Sequence, residues 1–176
     1  MDVVLKVPVR SFVYKYLTSK YGNPWRINSR YKDARVFQYL LARTPNRYDK
    51  FITKDMVILD VVIPTQIHLK KGSYLSQECI HELHEIINDN IMHEIETFYR
   101  GVTTGLGLKD CNKVRVIVNE NTERFQERRI DTREAFRFFA QKQIIYDILK
   151  KYDITEEDLT YDCVVKRLQR SLKHKN

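Results

Sequence analysis

The chain has 176 residues, 43% of them apolar, and a formal net charge of +8; that length suits one domain, and that apolar fraction can build a core without metal or disulfide staples. No run approaches the ~20 consecutive apolar residues of a membrane span, and the opening MDVVLKVPVRSF, with its early acid and short apolar stretches, does not resemble a secretory signal. Cys79, Cys111 and Cys163 are odd in number and lack zinc-site spacing, so the sequence predicts a cytoplasmic protein with reduced thiols, no membrane association, no cofactor and no bound metal.

In chain order, VVLKVPV is β-rich and alternates in part, which predicts a short strand that Pro8 confines to an edge or an end. SFVYKYLTSKYG follows with a helical apolar face and Gly22 as its stop. Asn23 to Arg30 reads as a loop. A second helix is expected from about Asp33 to Ala42, with Val36, Phe37, Leu40 and Leu41 inward and Pro45 ending it. MVILDVVIP is a strong strand candidate, and QIHL a second one before a turn at Lys71 and Gly72.

Residues 74 to 100 give the clearest pattern, a helix striped by Leu75, Cys79, Leu83, Ile86, Ile87, Ile91, Ile95, Phe98 and Tyr99. Glycines 101, 105 and 107 are expected to break it, and KVRVIV then reads as a strand. A helix from about Thr132 to Tyr152 turns Ala135, Phe138, Phe139, Ile145, Ile148 and Leu149 inward. After a short turn near Asp153 to Thr155, the last helix starts at Thr155, where Thr155 and Asp158 fit a capping box, and runs to about Lys173.

The predicted architecture is therefore α+β: a helix-rich single domain with a small sheet made of the opening strand, MVILDVVIP and KVRVIV, packed on the long central helix. Residues 1–130 form the α+β core and residues 131–176 a carboxyl-terminal helical pair, compatible with a helix-turn-helix. The expected core includes Val57, Ile58, Val61, Leu83, Ile87, Ile91, Val116, Phe139, Ile145 and Leu168.

Charge is distributed unevenly. Residues 1–54 carry twelve basic and three acidic side chains, residues 55–110 four and nine, residues 111–160 ten and ten, and the tail from Tyr161 five and one. Two basic ends thus flank an acidic middle, a pattern suited to a polyanion because clustered Lys and Arg release counterions from phosphates. Half of the twenty aromatic residues also fall in the first 54 positions, interleaved with the bases, and bases of a single strand stack on such rings. The bland alternatives are that surplus cations only keep the protein soluble and that most of these rings, Phe12, Tyr16 and Phe37 among them, are core.

The central helix holds the densest set of potential ligands, including Glu78, His81, Glu82, His84, Glu85 and Asp89. Glu78 and His81 match one Glu-x-x-His unit, but its second copy is missing, and HELHE spaces its histidines three apart where the metalloprotease motif needs four. A polar helix face rich in Glu and His is ordinarily just solvated. GVTTGLGLKD does not match the phosphate-binding loop motif and follows a helix rather than a strand. In the last helix, Glu156, Glu157 and Asp158 come first and the bases later; a recognition helix leads with its amino end, and the helix dipole favours this charge order without DNA. The abundance of Ile, Asn, Lys and Tyr is that of an AT-rich coding sequence, as in many phages and mobile elements.

These readings lead to an expectation of a non-enzymatic nucleic-acid-binding protein, regulatory or accessory, with DNA ahead of RNA as its partner. Its phosphate-contacting residues would be Arg10, Lys15, Lys20, Arg26 and Arg30 at the amino end and Lys166, Arg167, Arg170 and Lys173 at the carboxyl end. Two alternatives compete: an assembly subunit or homo-oligomer whose acidic and basic faces meet, and a metal-dependent enzyme built on Glu78, His81 and Glu85.

Overall fold

The computed structural model describes residues 2–44, 56–105 and 132–173, with side chains left undescribed at 102–105, 132–140 and 173. Its order is β1 (Val3–Arg10), α1 (Ser11–Tyr21), β2 (Trp25–Arg26), α2 (Lys32–Leu40), β3 (Met56–Ile63), α3 (Thr65–Lys71), α4 (Gln77–Gly105), α5 (Thr132–Lys151) and α6 (Tyr161–Lys173). The protein is α+β, with helices predominating around a three-stranded sheet in the order β1-β3-β2. Among the described residues no helix is long and apolar enough to cross a membrane.

Alternation along the strands decides which sheet face is covered. β1 and β3 pair antiparallel, Val7 opposite Leu59 and Leu5 opposite Val61, and Val7, Val9, Leu59, Val61 and Ile63 all point under the helices, fully buried. Pro8 sits on the edge strand, where its missing N–H costs no ladder bond. KVRVIV lies outside the described residues together with Val116. Among the described residues the sheet has a third strand. It is β2, two residues that pair parallel with β3 through Trp25 and Val61. A two-residue strand has no periodicity to read; Trp25 is held there because its ring is buried between Tyr21 and Phe37, at 5.4 and 5.2 Å between centroids.

α4 is the longest element, and Ile80, Leu83, Ile87, Ile91 and Ile95 form its buried stripe. It begins three residues later than the apolar pattern suggests, because Ser76 is the cap, its Oγ accepting the Cys79 N–H at 3.1 Å. Gly101 does not stop it. One helical glycine costs about 1 kcal/mol, and the helix runs on to Gly105. Phe98 stands 55% exposed, off the stripe to which it was assigned.

Three further expectations are corrected. QIHL belongs to α3, a helix: the Pro64 carbonyl that closes β3 accepts the Ile67 and His68 N–H groups, so the chain turns at once into helix. α2 ends at Leu40 rather than Ala42, because Ala42 leaves the helix to exchange backbone hydrogen bonds with Tyr74. α6 starts at Tyr161, not Thr155. Asp158 does reach back to the Thr155 N–H at 2.8 Å, as in a capping box, but the chain makes a single turn there and α6 opens later. The connection from α5 to α6 consequently spans residues 152–160, longer than the three- to four-residue turn of a DNA-binding helix pair.

The core joins every part of the described chain into one apolar cluster, from Val7 to Leu168. Val61, Leu83, Ile87, Ile91, Ile145 and Leu168 are buried as expected, whereas Val57 and Ile58 are 39% and 48% exposed; the Phe139 side chain is outside the description. MVILDVVI is apolar on both faces, so its composition alone could not say which residues point inward.

The Ala42–Tyr74 bridge passes close over Gly72, where φ is +90° and an added Cβ would lie 2.2 Å from the Ala42 carbonyl oxygen. Gly72→Ala is expected to destabilise the protein by roughly 2–4 kcal/mol in urea unfolding. Gly22→Ala, at φ +81° with open space around it, should lose only about 1–2 kcal/mol. Equal losses would show that the close approach at Gly72 does not matter.

Candidate nucleic-acid interface

Of the nine basic residues singled out from the sequence, four are engaged in ion pairs within the molecule. Lys15 donates to Asp158 at 2.7 Å. Lys20 donates to the Tyr16 hydroxyl at 2.5 Å and lies 3.6 Å from Asp33. Arg26 pairs with Asp2. Arg167 bridges Glu85 and Asp89 of α4 at 3.1 and 2.7 Å, seating α6 on that helix beside a Ser171 to Glu96 hydrogen bond of 2.8 Å. Arg10 is exposed and caps α1; its backbone N–H donates to His84 Nε2 at 3.3 Å. Arg30, Lys166 and Arg170 are exposed and make no ion pair among the described residues, and Lys173 closes α6 with its side chain undescribed.

These partners are largely the acidic residues of the middle and the α5–α6 connection. Lys151 of α5 joins them, donating to Glu94 at 2.6 Å, and Tyr152 donates to the same carboxylate at 2.6 Å. Burial alone would raise the Glu94 pKa, but those two donors hold it below the usual carboxylate value. Burial would raise that of Asp158 too, yet bonds from Lys15, Ser11 and Thr155 keep it well below. The charge contrast in the sequence is thus partly consumed inside the molecule.

What remains unpaired collects elsewhere. α2 turns Ala34, Phe37 and Leu40 to the core, which leaves Tyr31, Arg35 and Tyr39, four residues apart, on its outer side. Tyr39 is 79% exposed and Tyr31 49%. α3 lies alongside α2: at one end Arg43 donates to the Lys70 carbonyl through Nε and Nη2 at 3.3 and 3.1 Å. At the other end an open groove of about 600 Å³ runs between the loop that precedes α2 and the start of α3, lined by Arg26, Asn28, Ser29, Arg30, Tyr31 and Gln66. Lys70 and Lys71 are exposed at the carboxyl end of α3.

The two helices present no exposed carboxylate, although the exposed Asp2 is held on the groove residue Arg26. The one acid between residues 26 and 44 is Asp33, and it is buried, accepting from Tyr21 Oη at 2.7 Å and Asn90 Nδ2 at 3.0 Å. α3 has no acid. Arg26 and Arg30 were found from the sequence, whereas Arg35, Tyr39, Arg43, Lys70 and Lys71 were missed. For Arg35 and Tyr39 the signal lay in their spacing on the polar side of α2, whereas Arg43, Lys70 and Lys71 join them only through the packing of α3 beside α2.

A second cleft of about 390 Å³ lies between α1, α2 and α4, around Lys20, Asp33, Asn90 and Glu94. Lys20, Asp33 and Glu94 are engaged with one another or with Lys151, and Lys32 reaches Asn90 at 3.5 Å. The metal-ligand set is dispersed: Glu85 is bound by Arg167, Glu78 and His81 are exposed, and no three His, Cys, Asp or Glu side chains converge among the described residues. No protein-family profile, curated protein or solved structure matches the chain.

His84 is the one buried imidazole described, packed against Phe12 with ring centroids 6.5 Å apart. Accepting at Nε2 places its proton on Nδ1. Burial, helped by the nearby Arg10 and His81 charges and opposed by Glu85, pushes its pKa down from 6.5 to about 4. Between those values the unfolded chain binds the proton and the folded chain does not, so stability should be lost as pH falls through that window, by roughly 2–3 kcal/mol. Denaturant unfolding across the window checks this. His84→Gln should flatten the dependence there, and an unchanged slope would remove His84 as its source.

Proposed function

We propose that the protein is a non-enzymatic nucleic-acid-binding protein, regulatory or accessory, whose contact surface is the α2–α3 face. The observation that carries this reading is the exposed row Tyr31, Arg35 and Tyr39, flanked by Arg30, Arg43, Lys70 and Lys71, with no exposed acid on either helix. Guanidinium groups neutralise phosphates while tyrosine rings receive unstacked bases, each worth about 1–3 kcal/mol. Asn28 and Gln66 in the groove add amide donors and acceptors suited to base edges. A single strand fits this mixture better than an uninterrupted duplex, whose bases are already stacked. DNA stays ahead of RNA in this proposal.

The reading moves the surface away from the two chain ends. Lys15, Lys20 and Arg167 are already engaged in ion pairs within the fold. α6 rests on the Glu85 and Asp89 side of α4, whereas α2 meets α4 at Asn90, roughly 120° further round the helix. Lys166 and Arg170 consequently lie apart from the α2–α3 face.

Fluorescence anisotropy with a labelled single-stranded DNA of about a dozen nucleotides tests the proposal. Engagement of three or four cations should give a slope of log K against log salt of about −2 to −3. Tyr39→Ala should weaken binding roughly 5- to 100-fold, and Arg35→Glu should weaken it and flatten the slope. Lys166→Ala should leave both unchanged. No binding at low salt, or equal losses from all three variants, would overturn the assignment.

A further inference from the structure

The sheet has a second face. Because Val7, Val9, Leu59 and Val61 point under the helices, the alternate residues share the opposite side. In register these are Val4 with Val62, Lys6 with Asp60, and Pro8 with Ile58. Val4 is 58% exposed and Ile58 48%. An apolar sheet face left to water is a liability that proteins ordinarily cover.

The charged pair in its middle says what covers it. Lys6 is exposed and makes no ion pair among the described residues, and Asp60 has one carboxylate oxygen shielded from water with no hydrogen-bond partner. A shielded carboxylate oxygen without a donor is unfavourable by about 1–3 kcal/mol, and more when charged. A two-fold axis parallel to the strands and midway between β1 and β3 would lay each β1 over the β3 of a second copy. Every row is then complementary: Val4 meets Val62, Pro8 meets Ile58, and Lys6 meets Asp60 twice, once on each side of the axis. An isologous contact requires this self-matching, and a surface with two unpaired charges of one sign could not provide it.

We infer that the open β1–β3 face is a homodimer interface, with two copies packed sheet to sheet and the Lys6–Asp60 pairs exchanged between them. The packing is that of an aligned sandwich, its inner faces about 10 Å apart. It leaves the α2–α3 row outside the contact, so it stands or falls independently of the nucleic-acid reading.

Sedimentation equilibrium or light scattering of the full chain at micromolar concentration tests the inference. The wild-type protein should be a dimer. Lys6→Asp and Asp60→Lys, each alone, place like charges opposite each other across the axis and should weaken association by at least about tenfold, with circular dichroism unchanged. An equimolar mixture of the two variants should recover the dimer, because each reversed charge then meets its opposite in the partner while the pairing within each chain stays like-charged. Ile58→Asp should yield a monomer that no mixing partner rescues. A monomeric wild-type chain, or variants that fail to recover on mixing, would overturn the inference.

Discussion

A three-stranded sheet has two faces, and the helices of this protein are arranged to cover one. That single constraint places α4. Its buried stripe runs from Ile80 to Ile95, and α1, α2, α5 and α6 are gathered around it, while α3 packs beside α2. The fold is organised less as layers of equals than as one long helix with attachments, and the attachments determine which residues reach water.

The attachments are electrostatically sorted. The acidic middle of the sequence is mostly α4, and its carboxylates receive cations from the last two helices: Glu94 from Lys151 of α5, Glu85 and Asp89 from Arg167 of α6. Half-exposed pairs of this kind are worth about 0–1 kcal/mol each, too little to explain the fold, whose stability comes from apolar burial at about 25 cal/mol per Å². Their effect is positional. Each pair holds an amphipathic helix at one rotation and one height on α4, and by doing so withdraws its cations from the surface. The number of basic residues in a sequence therefore overstates the unpaired cations a folded protein offers, and those need not lie where the sequence is most basic.

The sequence made the large apolar patterns legible, because periodicity is written redundantly along α1, α4 and α5. It was least informative where structure depends on a partner distant in sequence. QIHL is short and apolar enough to suit either a strand or a helix, and its conformation is set by Pro64 before it and Gly72 after it. Trp25 pairs with a strand more than thirty residues away. Ile58 and Leu59 are equally apolar, and only the pairing with β1 decides which of them is buried. The candidate surface was obscure in the sequence for a related reason. Lys15 and Arg167 look like any other basic residue until Asp158 and Asp89 are brought beside them, whereas Tyr39 declared its exposure by its place on α2 opposite Phe37 and could have been read in advance.

Trp25 is the single tryptophan of the chain, and its indole is wholly out of water, its Nε1 without a hydrogen-bond partner. An indole in such surroundings emits at short wavelength, and stacking on Tyr21 lets the tyrosine pass its excitation on. The protein thus carries one intrinsic fluorophore at the junction of β2, α1 and α2, with no competing emission of the same kind. The next residue, Arg26, lines the groove beside Tyr31. Loosening of this short strand, by heat, by acid or by a ligand drawing on Arg26, would shift the emission to longer wavelength, giving an optical record of the region least anchored by the sheet without any label being attached.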